Sequence, residues 1–380
     1  MNIIIAGDYC PQYRVANCLN CGDYESVFDH VRPLVEQADY SIVNLECPVS
    51  DAGMIPIKKC GPNLKCTEKG IDALKWVGFK CVTLANNHFL DYGSEGVSKT
   101  ILSCKNKGID IVGGGRNIKE ASEILIKKID GITIAFINCC EHEFSQSTET
   151  TSGSNPLNPI QQYKSIQRAK EQADYVVVIV HGGHEHYQLP SPRMKEMYRF
   201  FVDVGADVVV NHHQHCFSGY EIYKEKPIFY GLGNFCFDWI GKRNGMWNEG
   251  LLLSLKLERN HKIQFVLIPY RQCEDNPSVK ILKDSQVDMV LKKLSELNAI
   301  IANSTKLQEE FSHFCESREN DLLISLMPYR SRLLKALGYR RLIPTFVSRN
   351  KALQLYNYVV CESHRDTLLH YLNKLYERKN

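Results

Sequence analysis

Five short polar clusters combine residue types that hold divalent cations or move protons: Gly7-Asp8, Asn44-Leu45-Glu46, Asn86-Asn87-His88, His181-Gly182-Gly183 and Asn211-His212-His213-Gln214-His215. Carboxylate, amide oxygen and imidazole are donors that Mn²⁺, Fe²⁺ and Zn²⁺ accept. Two such ions about 3.5–4 Å apart can activate a water and clamp an oxyanion. A carboxylate such as Glu46 suits the place between them. Taken singly, each cluster also has an ordinary reading. An Asp after a strand is a common turn residue or helix N-cap, an Asn-His pair is a hydrogen-bonded loop, and the three histidines make a solvated turn.

What the ordinary reading leaves unexplained is position. Apolar runs that read as buried strands cover Ile3–Ala6, Ser41–Leu45, Cys81–Leu84, Ile132–Ile137, Val176–Val180 and Val208–Val210. Each cluster stands at the carboxyl end of one of these runs. In an α/β sheet those ends lie along one edge, where ligands bind, so the five clusters converge in space. Helical patterns over Lys69–Val77, Ser94–Lys105, Ile160–Ala173 and Ser191–Val204 lie between the strands, and Gly78, Gly108 and Gly205 stand where C-terminal caps belong.

Later the period changes. Ser218–Tyr223, Ile228–Tyr230, Leu251–Leu257 and Lys262–Ile268 read as antiparallel strands, with Arg259-Asn260 as a hairpin turn. Ser145 to Pro159 is rich in Ser, Thr, Asn and Pro and reads as a long loop, a place where function often sits. From about Asp284 the pattern is helical: Val287–Ile301, Lys306–Leu326 and Cys361–Arg378. The expected architecture is a four-layer α/β/β/α sandwich over residues 1–275, followed by a helical C-terminal region over 276–380.

Bulk properties exclude little but are consistent. The 380 residues are 44% hydrophobic and 23% charged with a net charge of +3, so charge argues neither for nor against a polyanion; no nucleic-acid partner is expected. The apolar stretch Ile3–Ala6 is too short for a signal-peptide core, and no run of about 18 apolar residues offers a membrane span. The 15 cysteines are expected to be reduced and the protein cytoplasmic.

At the level of whole motifs the chain resembles the bacterial capsule-synthesis CapA (poly-γ-glutamate synthesis) family. The resemblance rests on Asn44-Leu45-Glu46, Leu84-Ala85-Asn86-Asn87-His88 with Asp91-Tyr92-Gly93, and Gly113-Gly114-Gly115-Arg116-Asn117. It continues through His181-Gly182-Gly183-His184-Glu185 with Pro190-Ser191-Pro192, and Tyr230-Gly231-Leu232-Gly233-Asn234-Phe235. That family is similar in fold to calcineurin-like metallophosphoesterases. The resemblance implies Asp8 as first metal ligand, Glu46 as bridging carboxylate, Asn87 as amide ligand, and His181, His213 and His215 as imidazole ligands. It implies His88 as the histidine that protonates or stabilises the reacting oxygen, with Asp91 orienting it. One or two Mn, Fe or Zn ions are the implied cofactors. This sequence departs from the metallophosphoesterase pattern at Cys10, where a histidine is usual, and at Asn211, where glycine is common.

Further candidates lie outside the ligand set. Arg116, after three glycines, and Asn234 are candidate substrate-binding residues; Glu185 and Cys10 are further residues that can reach the pocket. Cys18-Leu19-Asn20-Cys21 has zinc-knuckle spacing without a second pair and reads as fortuitous. Between Leu322 and Val360 stand Arg330, Arg332, Lys335, Arg340, Arg341, Arg349 and Lys351 with no acidic residue. Interleaved with leucines, the segment 330–351 reads either as a solvated helical face or as a peripheral contact with an anionic membrane.

The expected function is that of a metal-dependent hydrolase or transferase in capsule-polymer biosynthesis, acting on the polymer or its precursor beside a membrane-associated synthase. Two other readings stand beside it. One is a general phosphoesterase on a small phosphorylated metabolite; the other is a non-catalytic scaffold of a capsule synthase.

Overall fold

A computed structural model describes residues 1–259, 261–326, 331–344 and 347–377. Asn260, Arg330 and Arg378, which the sequence reading placed in a turn, a basic face and a helix, lie outside the described residues.

Two sheets carry the fold. In the first, Asn2–Tyr9 is central, with Tyr40–Leu45, Cys81–Thr83 and Asp110–Val112 added in parallel on one side. On its other side Glu249–Lys256, Gln264–Gln272 and Val279–Ile281 continue the sheet antiparallel, and the short strand Asn234–Cys236 pairs in parallel with the end of Asn2–Tyr9. In the second sheet Ile132–Cys140, Tyr175–His181, Val208–His212 and Lys226–Phe229 run parallel, edged by antiparallel Leu125–Ile129 and Tyr220–Tyr223. Lys226–Phe229 thus differs from the antiparallel expectation on one edge. The tight turn at Lys224 and Glu225, both at positive φ, reverses the chain once and leaves the second strand aligned with Val208–His212.

Side-chain alternation explains the layering. Ile3 and Ile5 point into the core between the sheets, whereas Ile4 and Ala6 face the opposite way. The outer face of the first sheet is covered by helices Tyr13–Asn20, Glu68–Val77 and Gly93–Asn106 through Val15, Leu74 and Val97. Helices Pro159–Lys170, Pro192–Asp203 and Ser285–Ala302 bring Ile166, Phe201 and Leu297 to the core of the second sheet. Asn158 and Ser191 cap the first two of these helices, each just before a proline at the first helical position. The result is the four-layer α/β/β/α sandwich.

The first compact unit runs from Met1 to Gln308 and the second from Glu309 to Asn380. The boundary falls beyond residue 275 because Val279–Ile281 pairs with Gln264–Gln272, and Val290, Leu294, Leu297 and Ile301 are buried in the main core. Within the second unit the described helices include Glu319–Leu326, Arg332–Tyr339 and Arg349–Val360. Among the described residues no helix is long and apolar enough to cross a membrane.

Candidate metal centre

All five strand-end clusters meet at one edge of the sandwich. Asp8 ends the central strand of the first sheet and is fully buried. Its backbone N–H donates to Gly233 O at 3.1 Å. That approach requires glycine at position 7, since a Cβ there would lie 1.8 Å from Gly233 O. Asn44 Nδ2 donates to Asp8 Oδ1 at 2.7 Å, and the His213 backbone N–H donates to Oδ2 at 3.2 Å.

Glu46 lies beside it, fully buried, and neither carboxylate oxygen has a hydrogen-bond partner among the described residues. Oε1 is 3.6 Å from His181 Nε2 and 3.7 Å from His215 Nε2. His181 Nε2 is also 3.1 Å from Asn87 Oδ1 and 3.1 Å from His213 Nδ1. Two ligand groups therefore share Glu46: Asp8, Glu46 and His215, and Glu46, His181 and His213. Asn87 stands next to the second.

Other residues hold these ligands in place. Asn234 Oδ1 accepts from His215 Nδ1 at 2.9 Å, which turns Nε2 toward Glu46. Asn234 is thus a support for a ligand, whereas the sequence suggested substrate contact. Ser145 Oγ donates to Asn87 O at 2.7 Å, and Ser154 Oγ lies 2.8 Å from Asn86 O, so the Ser/Thr-rich loop is an ordered brace for the Asn86-Asn87-His88 turn. Asn211 replaces a glycine usefully. Its Nδ2 reaches Gly182 O and Tyr230 O, and its Oδ1 accepts from Tyr198. The turn that follows holds His213 at φ 92° and His215 at φ 55°, left-handed conformations that cost about 1–3 kcal/mol each and cluster at functional sites.

Electrostatics point the same way. Burial pushes Asp8 up to about 6, against the partial relief of the Asn44 bond. Burial, then the neighbouring Asp8, raises Glu46 well above the carboxylate range. Burial and the adjacent histidines hold His181 and His215 well below the usual imidazole range. His212 is pushed down to about 3 by burial alone and, among the described residues, has no hydrogen-bond partner on either ring nitrogen, with Asp8 Oδ1 3.8 Å from Nδ1. Orphaned, crowded acceptors and neutral imidazoles are what a divalent cation satisfies, so the residues present fit the implied metal.

His88 sits at the rim, its Nδ1 2.7 Å from Asp91 Oδ2. Glu185 is exposed there, close enough to act on Glu46. Two residues escaped the sequence reading. Glu143 places Oε2 3.3 Å from Asn87 Nδ2 and Oε1 3.9 Å from His213 Nε2, and Lys59 lies 3.0 Å from His88 Nδ1. Neither belongs to a periodic element or a ligand motif. Two candidates belong to neither ligand group. Cys10 is buried among Cys47 and Cys66 and accepts from Gln12, near enough to act on Glu46 but outside both groups. Arg116 is exposed, is held bidentately by Glu120, and lines a separate groove with Gly113 and Gly114.

Architecture and ligand arrangement define a metallophosphatase-type α/β/β/α protein. The chain belongs to the bacterial capsule synthesis protein PGA_cap family, whose sequence profile matches residues 2–239, as the motif resemblance implied. It is 35% identical over 285 residues to the capsule biosynthesis protein CapA of Bacillus anthracis, covering 73% of this chain and 69% of that protein. It is 32% identical over 267 residues to the PGA biosynthesis protein CapA of Bacillus subtilis, covering 69% and 68%. Among solved structures, one described as a novel phosphatase from Mycoplasma pneumoniae is similar at a TM-score of 0.44 and 16% identity, covering 72% of this chain and 95% of that one.

Proposed function

We propose that this chain is a metal-dependent hydrolase or transferase of capsule-polymer biosynthesis, acting on the polymer or its precursor beside a membrane-associated synthase. Glu46 carries the reading: a fully buried carboxylate with no hydrogen-bond donor, set between two groups of ligands. Asp8, Glu46 and His215 would hold one Mn, Fe or Zn ion, and Glu46, Asn87, His181 and His213 a second. A bound cation of this kind supplies Lewis acidity toward an ester, amide or phosphoester and lowers the pKa of a water. The chain supplies the rest. Asn234 fixes the His215 ring, the loop from Ser145 to Ser154 fixes Asn87, and Asp91 holds His88 by Nδ1. His88 Nε2, which has no protein partner among the described residues, is placed to exchange a proton with the reacting oxygen.

The test is elemental mass spectrometry on the wild type and on Asp8→Ala, Glu46→Ala and His213→Ala proteins purified without chelator. Near-stoichiometric Mn, Fe or Zn that falls in each variant is expected, with aryl-phosphate or ester turnover that disappears in His88→Ala. A wild type without metal after reconstitution would overturn the reading and favour a scaffold.

Among the described residues no cysteine is joined in a disulfide, which supports a reducing, cytoplasmic location. The second unit supplies a route to the membrane: Leu333, Leu334 and Leu342 are exposed beside Arg332, Lys335, Arg340 and Arg341, the composition of a peripheral contact with anionic lipid. Flotation with anionic vesicles should retain the full chain and lose a chain ending at Gln308; equal behaviour of the two would sink the membrane contact.

A further inference from the structure

The loop between Asp51 and Lys65 carries no regular secondary structure, yet one buried residue fastens it. Asp91 O accepts from the Ile57 backbone N–H at 2.9 Å and from Asn63 Nδ2 at 3.0 Å. Asp91 Oδ2 accepts from the Leu64 backbone N–H at 2.6 Å. The same loop sends Lys59 inward, where its Nζ is ion-paired with Asp91 Oδ1 and only 3% of its side chain is exposed. Lysine is almost never buried without a partner. A buried ion pair brings little net stability over an apolar pair of the same volume, and closing this loop needed no second charge, since three bonds from backbone and amide N–H groups to Asp91 already do so.

What the ammonium does accomplish is to divide the carboxylate. With Oδ1 held by Lys59, Asp91 cannot rotate, and Oδ2 stays aimed at His88 Nδ1, 2.7 Å away. The Lys59 Nζ also stands 3.0 Å from the same nitrogen. An ammonium only donates, so Lys59 and Asp91 compete for Nδ1. The shorter contact to the Asp91 carboxylate, which can only accept, gives the proton to Nδ1 and leaves Lys59 bonded to Asp91 alone. We infer that Lys59 is a positioning residue for His88: through Asp91 it fixes the Nδ1–H form of the imidazole and leaves Nε2 as the nitrogen available to a substrate. The inference rests on the proposed function only for the role of Nε2 in turnover; the ring's hydrogen bonding is independent of it.

The experiment uses the full chain with ¹⁵N-labelled histidine at mildly alkaline pH, the His88 signals being assigned by their loss in His88→Gln. The wild type should show a protonated Nδ1 and an unprotonated Nε2. Lys59→Met should give averaged or inverted nitrogen shifts at unchanged metal content, and Lys59→Arg should restore the wild-type pattern. With an aryl phosphate, Lys59→Met should lower kcat about 10-fold or more and leave KM within about twofold, with recovery in Lys59→Arg. A wild type protonated at Nε2 overturns the inference whether or not Lys59→Met folds. So do His88 shifts and kcat unmoved by Lys59→Met. A wild type without any turnover but with the expected nitrogen pattern refutes the hydrolase reading and leaves the Lys59 assignment standing.

Discussion

Two groups of buried polar side chains meet at the strand ends, and they are built on opposite terms. In the ligand group, acceptor faces acceptor: Glu46 has no donor, Asp8 is crowded by it, and three imidazoles lie against one another. In the other group Lys59, Asp91 and His88 complete each other, cation to carboxylate to ring nitrogen. The first is unfinished without something added to it, whereas in the second the buried charges face each other as folded. Removing a charge should therefore have contrary consequences in the two places.

The sharpest way to break this contrast is a pair of matched amide substitutions. Glu46→Gln should empty the centre of metal. The metal-free variant should nevertheless be no less stable than metal-free wild type, and more stable by on the order of 1 kcal/mol, because an unpartnered buried carboxylate is gone. Asp91→Asn should keep its metal, lose kcat roughly 100-fold, and lose about 3 kcal/mol of stability because Lys59 is left buried without its counter-charge. Elemental analysis and denaturant melts of both proteins check this, and similar stability losses in the two would erase the distinction.

A smaller effect sharpens the first half. Asp8 is raised in the folded protein from 3.8 to about 6, so the neutral form is the one the fold favours. Its contribution to metal-free stability is fully present below the unfolded value and is lost as pH rises through about 6. A bound cation prefers the ionised form. The rise in Tm on adding Mn²⁺ should therefore grow by a few degrees across that window. Melting curves with and without Mn²⁺ on either side of it would reveal a flat response if Asp8 were not a ligand.

Much of this site was legible in the sequence, for a local reason. Strand ends are marked by short apolar runs, and Asp8, Glu46, Asn87, His181, His213 and His215 each follow one within five residues, so pattern and chemistry sat together. What was not legible depends on distant partners. Lys59 gains its meaning only because a loop without period folds back on Asp91. Asn234 supports His215 across a turn that strand spacing does not describe. Glu143 reaches Asn87 from the loop after Ile132–Cys140. Arg116 is different: its i,i+4 partner Glu120 was in plain view, and pairing between them is the simpler use of that guanidinium. The extent of the first unit was hidden because Val279–Ile281 is too short to declare itself.

The contact between Gly7 and Gly233 also bears on how the protein is made. Asp8 leaves the ribosome before the other residues of the centre, but its strand is flanked on one side by Asn234–Cys236 and Glu249–Lys256, which emerge last of the residues that shape the centre. Its orientation therefore waits for more than half the chain. Synthesis runs from the N-terminus at a limited pace, so a nascent chain presents Glu46, Asn87 and the histidines well before it owns a finished cradle. Under the proposed function, cation loading is accordingly an event of the released or nearly released polypeptide, and a chain cut short before Asn234 is expected to retain no ion however many of the candidate ligands have been translated.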